Sequence, residues 1–381
     1  MRVLLIYHGG LTPYTRRLYR TLAGRPEIDE LTVLVPERVQ TERVYAPNGW
    51  LSATSSEAED GYKVVAVPLQ NPANYGHGFD RTILRAAIRS ANADVIQVLD
   101  EPFSGYLLQV IQLSLLASRR SRILFYGFEN RPLHLGRRAG TIWKFAWPRT
   151  AGGAAANSEA LGNLQDAGYP RGRPLERIFW GVPTEIFENS EPADLQALGI
   201  NAEQVVGYVG RFIEAKGLLV LAAAMLRLPK QMHCLLVGSG PLLPQLELLA
   251  ALPQMRGRVH LHDVMDSEEL ARTMKALDVL VLPSLTAERW KEQYGRVLPE
   301  AMAAGVPVIG SDSGAIPEVI GSAGLVTPEG DPSALADAVD RLTTDRQLRD
   351  QMVTSGKARA SQELSVDSMV AKLCELYRRV L

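Results

Sequence analysis

The sequence predicts an α/β protein of two domains, each a parallel sheet wound with helices. Three observations lead there. A length of 381 residues suits about two domains with substantial cores. Each half opens with the same succession of apolar strand, glycine turn and helix: residues 2–7 with Gly9 and Gly10 in the first, residues 205–209 with Gly210 in the second. Residues 278–309 then read as a complete strand, loop, helix and strand, the crossover that joins parallel strands.

Composition agrees. An apolar content of 46% with 22% charged residues is that of a globular protein. The net charge of −1 conceals an asymmetry: residues 1–185 hold 22 Lys and Arg against 17 Asp and Glu, and the remainder holds 19 against 25. A basic first half would suit peripheral contact with anionic lipid or an anionic acceptor, and ordinary scatter of solvated arginines is the competing reading. No nucleic-acid partner is expected. Cys234 and Cys374 lie in apolar segments without metal-ligand spacing, as core residues of a reduced, cytoplasmic protein would. The apolar run 3–7 is too short for a signal peptide. The longest one, 106–117, is interrupted by Gln109, Gln112 and Ser114 and is too short to cross a bilayer.

In chain order, residues 2–7 form a buried strand, His8-Gly9-Gly10 a turn, and 14–23 a helix carrying Arg16, Arg17 and Arg20. A glycine pair at a strand end lets backbone approach a ligand closely. Residues 32–35 and 64–67 are further strands, with a polar loop over 40–61 between them and another loop over 71–80. His77 in that second loop reads as a surface residue. Strand 95–99 runs into Asp100-Glu101-Pro102, and strand 123–126 into Gly127-Phe128-Glu129-Asn130. Residues 131–149 are basic and aromatic: an amphipathic helix packed on the core, or one lying on a membrane surface. Strand 154–158 and helix 159–167 follow. The segment 178–183 closes the first domain, and a linker begins at 190–192.

In the second half, strand 205–209 leads through Gly210-Arg211 and Lys216-Gly217 into helix 218–228, so two cations flank one turn at a helix start. Strand 233–237 ends in Gly238-Ser-Gly240-Pro241, a defective dinucleotide fingerprint because Leu243 occupies the third glycine position. Strand 259–262 follows. Strand 278–282 is stopped by Pro283 and Ser284. Gly295 opens helix 296–304, which Gly305 ends, and 306–309 is the next strand. Two carboxylates bracket the loop, Glu292 ahead of the helix and Glu300 a turn inside it. The N–H groups of Gly295, Arg296 and Val297 favour an anion in the same space, and carboxylates accept well from sugar hydroxyls. The blander alternative is a Glu300 that complements the helix dipole and a solvated Glu292. Helices 331–344, 346–361 and 366–381 complete the chain.

Taken together, Gly210-Arg211…Lys216-Gly217, the Glu292-x7-Glu300 pair with its Tyr294-Gly295 core, Gly314-Ala-Ile-Pro-Glu318 and Gly324-Leu-Val-Thr-Pro-Glu-Gly-Asp331 resemble the retaining glycosyltransferases of family 4 (glycosyl transferases group 1). The likeness is strong over about 205–335 and looser before. It implies a GT-B fold, two Rossmann-like α/β/α domains facing a central cleft. Residues 1–185 would be the acceptor-side domain, joined by the last helix crossing back at about 366–381, and 186–365 the nucleotide-sugar domain.

The implied reaction moves a sugar from a nucleoside diphosphate sugar, UDP favoured over GDP, to a hydroxyl acceptor with retention, in glycolipid, polysaccharide or small-molecule glycoside synthesis. By resemblance Arg211 and Lys216 would hold the leaving diphosphate, Glu292 the donor sugar and Glu300 the ribose, with Tyr294, Gly295, Arg296 and Val297 around them. Gly9 and Gly10 would lie beside the donor. Relatives read the nucleobase through backbone just after strand 259–262, here His262-Asp263-Val264 in place of a commoner Leu-Gly. Many carry a functional His where this chain has Glu129, which leaves Glu129, Glu101 or Asp100 as candidate acceptor-side carboxylates. No Asp-x-Asp occurs, so neither a metal nor any other cofactor is expected. Two other classes fit the same residues: a GT-B nucleotide-sugar epimerase, which needs no acceptor, and a non-catalytic nucleotide-sugar-binding partner subunit.

Overall fold

The computed structural model describes residues 1–41, 49–57, 61–132 and 136–381, without the side chains of Tyr75, Arg137 and Arg138. The chain divides into two compact units, Met1–Gly181 with Val366–Leu381, and Val182–Ser365. The division thus falls inside the segment 178–183, ahead of the linker expected at 190–192.

The first unit begins with β1 (Arg2–Ile6), α1 (Pro13–Ala23), β2 (Glu30–Pro36), β3 (Arg38–Gln40), β4 (Trp50–Ser52), β5 (Ser56–Glu57) and β6 (Lys63–Val67). It continues through α2 (Arg81–Ala91), β7 (Val95–Val98), α3 (Gly105–Ala117), β8 (Arg122–Gly127), α4 (Arg137–Ala146), β9 (Thr150–Ala155), α5 (Ser158–Asp166) and β10 (Leu175–Arg177). The sheet runs β10-β9-β8-β7-β1-β2-β6-β5, parallel but for β5. Its central strands are buried on both faces, which is why they read as unbroken apolar runs. Successive side chains go to opposite cores, Leu4 with Ile96 and Phe125 on one face, Leu5 with Val33 and Leu124 on the other. A capping box between Thr12 and Thr15 starts α1, and Asp80 caps the N–H groups of Thr82 and Ile83 at α2.

One expectation needs correction here. The stretch 40–61 is not all loop: β3 pairs with β4 antiparallel, and β5 adds to β6. The strands are two or three residues long, too short for an alternation to register in the sequence. Residues 42–48 and 58–60 of that stretch lie outside the described residues. The apolar run 106–117 is α3. Its polar Gln109 and Ser114 are buried with the aliphatic side chains, so no polar stripe marks a helical period. The loop over 71–80 includes a single 3-10 turn, Tyr75–His77.

The second unit has α6 (Thr184–Glu188), β11 (Gln204–Val209), α7 (Leu218–Met225), β12 (Met232–Val237), α8 (Leu243–Ala251), β13 (Val259–His262) and α9 (Ser267–Lys275). After these come β14 (Val279–Leu282), α10 (Val297–Ala304), β15 (Val308–Ser311), α11 (Ile316–Ile320), β16 (Leu325–Thr327), α12 (Pro332–Thr344) and α13 (Arg346–Glu363). Its sheet runs β13-β12-β11-β14-β15-β16 and is parallel throughout. This is the doubly wound order, and the direction of winding reverses between β11 and β14. The last helix, α14 (Val366–Val380), belongs to the first unit, where Met369, Leu373 and Tyr377 join the core beside Leu5 and Val33.

Both cysteines are unpaired and buried. Burial pushes the thiol of Cys234 up to about 12 and that of Cys374 up to about 11, so neither is a reactive thiolate. No described helix is long and apolar enough to cross a membrane.

Candidate functional site

In a doubly wound sheet the carboxyl ends of the two strands at the switch point leave a crevice. In the second unit those strands are β11 and β14, and the predicted residues follow them directly: Gly210, Arg211 and Lys216 after β11, Glu292 through Val297 after β14. The two loops are tied together. Leu285 N–H donates to the carbonyl of Ala215 at 2.8 Å, and Lys216 Nζ lies 2.5 Å from Glu292 Oε2 across 76 residues of sequence. Ser284 donates its hydroxyl to the same carboxylate oxygen at 2.8 Å, and the Lys216 ammonium sits 5.1 Å from the centre of the Trp290 ring. Glu292 is buried, so the ion pair and the serine bond together hold its charge in place.

Local stereochemistry sets this geometry. Lys216 ends a 3-10 turn, and Gly217 follows at φ +68 with the Pro283 carbonyl where a Cβ would stand, 1.8 Å away. Tyr208, the second-to-last residue of β11, donates its hydroxyl to the Arg211 carbonyl at 2.8 Å and so fixes the turn that carries the guanidinium. Burial, and secondarily the Glu292 charge, holds the Tyr208 hydroxyl protonated well above its ordinary range.

Around α10 the expectation needs a small correction. Helix α10 begins at Val297, one residue later than expected, with Arg296 at its cap and Gly295 ahead of it at φ +77. Glu300 is fully inside, and Arg296 Nε meets its Oε1 at 3.0 Å. Tyr294 is buried, its hydroxyl pushed upward by burial and then by the Glu300 charge. Val264 N–H donates to the Asp263 carboxylate at 2.8 Å, so the backbone group proposed to read a base already has an acceptor beside it.

The Gly314 and Gly324 motifs reach the same loop. Ala315 N–H donates to the Glu292 carbonyl at 2.9 Å, Thr286 meets Ser313 hydroxyl to hydroxyl at 3.0 Å, and Thr286 N–H donates to Glu329. Ser284, Trp290 and Tyr208 are absent from the sequence-based candidates. Position alone could have suggested Ser284, the second residue beyond a buried strand at the switch point.

In the first unit the switch point lies between β1 and β7. Gly9 and Gly10 follow β1, and the Gly10 carbonyl accepts from Thr15 Oγ1 at 2.9 Å and from the Tyr19 hydroxyl at 3.1 Å. Beyond β7, Asp100 Oδ2 lies 3.2 Å from His8 Nδ1, a pairing the sequence reading did not anticipate. Glu101 accepts from Phe128 N–H at 2.8 Å, which brings it against the segment carrying Glu129. Glu129 is held by Arg131 in a fork, Nε to Oε1 at 2.8 Å and Nη2 to Oε2 at 2.6 Å.

Burial raises the Glu101 carboxyl to about 7, against the opposing hydrogen bonds from the Phe128 and Glu129 backbone. A carboxyl whose folded value lies above its unfolded one binds a proton more tightly when folded. Its stabilising contribution is therefore present in acid and lost as pH rises from about 4.5 through about 7. Relative to wild type, Glu101→Gln is expected to gain about 1–3 kcal/mol in unfolding free energy between pH 5 and pH 8. Urea titrations at the two pH values check this, and a constant difference between the two proteins refutes it.

Residues 203–345 match the family described as glycosyl transferases group 1. An alpha-D-kanosaminyltransferase of Streptomyces kanamyceticus is 29% identical over 187 residues, 48% of this chain and 47% of that protein. An alpha-maltose-1-phosphate synthase of Mycolicibacterium smegmatis is 29% identical over 219 residues, 52% of this chain and 55% of that protein. The chain spans about half the length of these curated relatives. Among solved structures, Anabaena Alr3699/HepE in complex with UDP and glucose is similar with a TM-score of 0.74 at 19% identity, over 100% of both chains. That likeness shows the fold, GT-B with Rossmann-like units.

Proposed function

We propose, from the glycosyl transferases group 1 domain at residues 203–345, that the chain is a metal-independent retaining glycosyltransferase. It would transfer a hexosyl group from a nucleoside diphosphate sugar, UDP favoured, to a hydroxyl acceptor. The observation that carries this reading is the Lys216–Glu292 pair at 2.5 Å, which fastens the cationic turn after β11 to the carboxylate loop after β14. A diphosphate bound there would meet Arg211 and Lys216, and the sugar hydroxyls would meet Glu292. Loss of the nucleoside diphosphate builds charge on the leaving phosphate, and preorganised cations lower the barrier by holding it. Glu300, fixed by Arg296, is assigned to the ribose hydroxyls. The UDP in the Alr3699/HepE complex supports a uridine donor.

Calorimetry tests the ribose assignment without an acceptor. Glu300→Gln is expected to weaken UDP binding by roughly 5- to 150-fold, about 1–3 kcal/mol for a charged hydrogen-bond partner. Unchanged affinity for UDP and GDP alike rejects it. Product analysis with donor alone separates the transferase from an epimerase, which would convert the donor with no acceptor present.

A further inference from the structure

A cavity of about 240 Å³ lies in the first unit at the edge of the sheet where β8, β9 and β10 begin. Gly9, Glu101 and Glu129 follow strands at the opposite, carboxyl edge, where open α/β sheets bind their reacting ligands, so the cavity is separate from them. Four arginines line it: Arg119, Arg122, Arg149 and Arg173. No carboxylate lines it, and none of the four forms an ion pair among the described residues. Backbone carbonyls hold three of them instead. Arg119 Nε donates to Leu115 O at 2.9 Å, Arg173 Nη2 to Pro148 O at 2.9 Å, and Arg149 to Phe145 O. Guanidiniums fixed in this way lose little freedom when they meet an oxyanion, and their mutual repulsion falls when it arrives.

The second observation is Ser114. The residue lines the same cavity and is 3% exposed, and its hydroxyl has no hydrogen-bond partner among the described residues. A buried hydroxyl left unpaired is costly, and a ligand oxygen that reached it would offset that cost. The volume is several times the roughly 30 Å³ of one water, room for an oxyanion with an organic substituent. We infer that this cavity binds a phosphate group, as a soluble phosphomonoester or as the headgroup of an anionic lipid, away from the transfer site.

Titration calorimetry of the full chain with inorganic phosphate tests this, in about 0.15 M chloride so that loose surface pairing is screened. An Arg211→Ala/Lys216→Ala background removes phosphate binding at the donor turn, which keeps failure here distinct from failure of the proposed activity. Arg119 and Arg122 are exposed, so Arg119→Gln/Arg122→Gln should fold normally. It is expected to weaken phosphate binding tenfold or more, about 1.4 kcal/mol. Ser114→Ala should also weaken it without lowering the thermal midpoint, because the hydroxyl has no partner to lose among the described residues. Glucose 6-phosphate and flotation with phosphatidylglycerol rather than phosphatidylcholine vesicles distinguish the two sources. The inference fails if neither phosphate nor phosphatidylglycerol vesicles bind, or if the paired arginine variant binds them as well as its parent.

Discussion

Replacing Arg211 with alanine is expected to lower kcat/KM for sugar transfer by about 30- to 1000-fold, or 2–4 kcal/mol of transition-state stabilisation. The guanidinium emerges from a turn whose carbonyl is pinned by Tyr208, at the end of the strand that defines the switch point. A donor so positioned acts mainly on charge that develops as the nucleoside diphosphate leaves, so kcat should fall with kcat/KM. Lysine at 211 restores charge but not the bidentate fork and should recover only part of the loss. Steady-state rates with saturating donor and acceptor decide the matter. Turnover by Arg211→Ala at the wild-type level removes the phosphate role from this residue.

The largest stability effect is expected at Gly217. An added Cβ would stand 1.8 Å from the Pro283 carbonyl oxygen, a backbone atom that cannot swing aside, and φ is +68. Left-handed strain and a forced backbone shift together cost roughly 3 kcal/mol or more. For a unit of this size, that is a fall of about 6–12 °C in the thermal midpoint. Because Lys216 precedes Gly217 and its partner Glu292 follows Pro283 in the other loop, the same shift separates the ion pair, and turnover should fall as well. Gly162, inside α5 with nothing near its Cβ position, is the control: Gly162→Ala should leave the midpoint unchanged or raise it slightly. Scanning calorimetry reads both. A Gly217→Ala protein that melts with wild type shows that the two loops yield far more easily than their contacts imply.

Much of this molecule is written in short stretches of sequence. Residues 279–282 are a buried strand because four consecutive apolar side chains can satisfy both faces of a parallel sheet. The helix after them ends at Gly305 because only a residue tolerant of φ +79 can close it there. Propensity, capping and burial period act over a few residues, so α10, β11 and the glycine turns could be read directly, as could the candidacy of Arg211, Glu292 and Glu300. A run whose few polar side chains form no stripe, such as α3, or a three-residue hairpin strand, such as β4, leaves no such period and stayed illegible. The tertiary structure alone decided which groups meet. Lys216 and Ser284 meet on Glu292, His8 faces Asp100, and four arginines near three strand beginnings line one cavity. Those encounters depend on strand order and parallel register, set by the packing of whole cores rather than by the residues that are brought together.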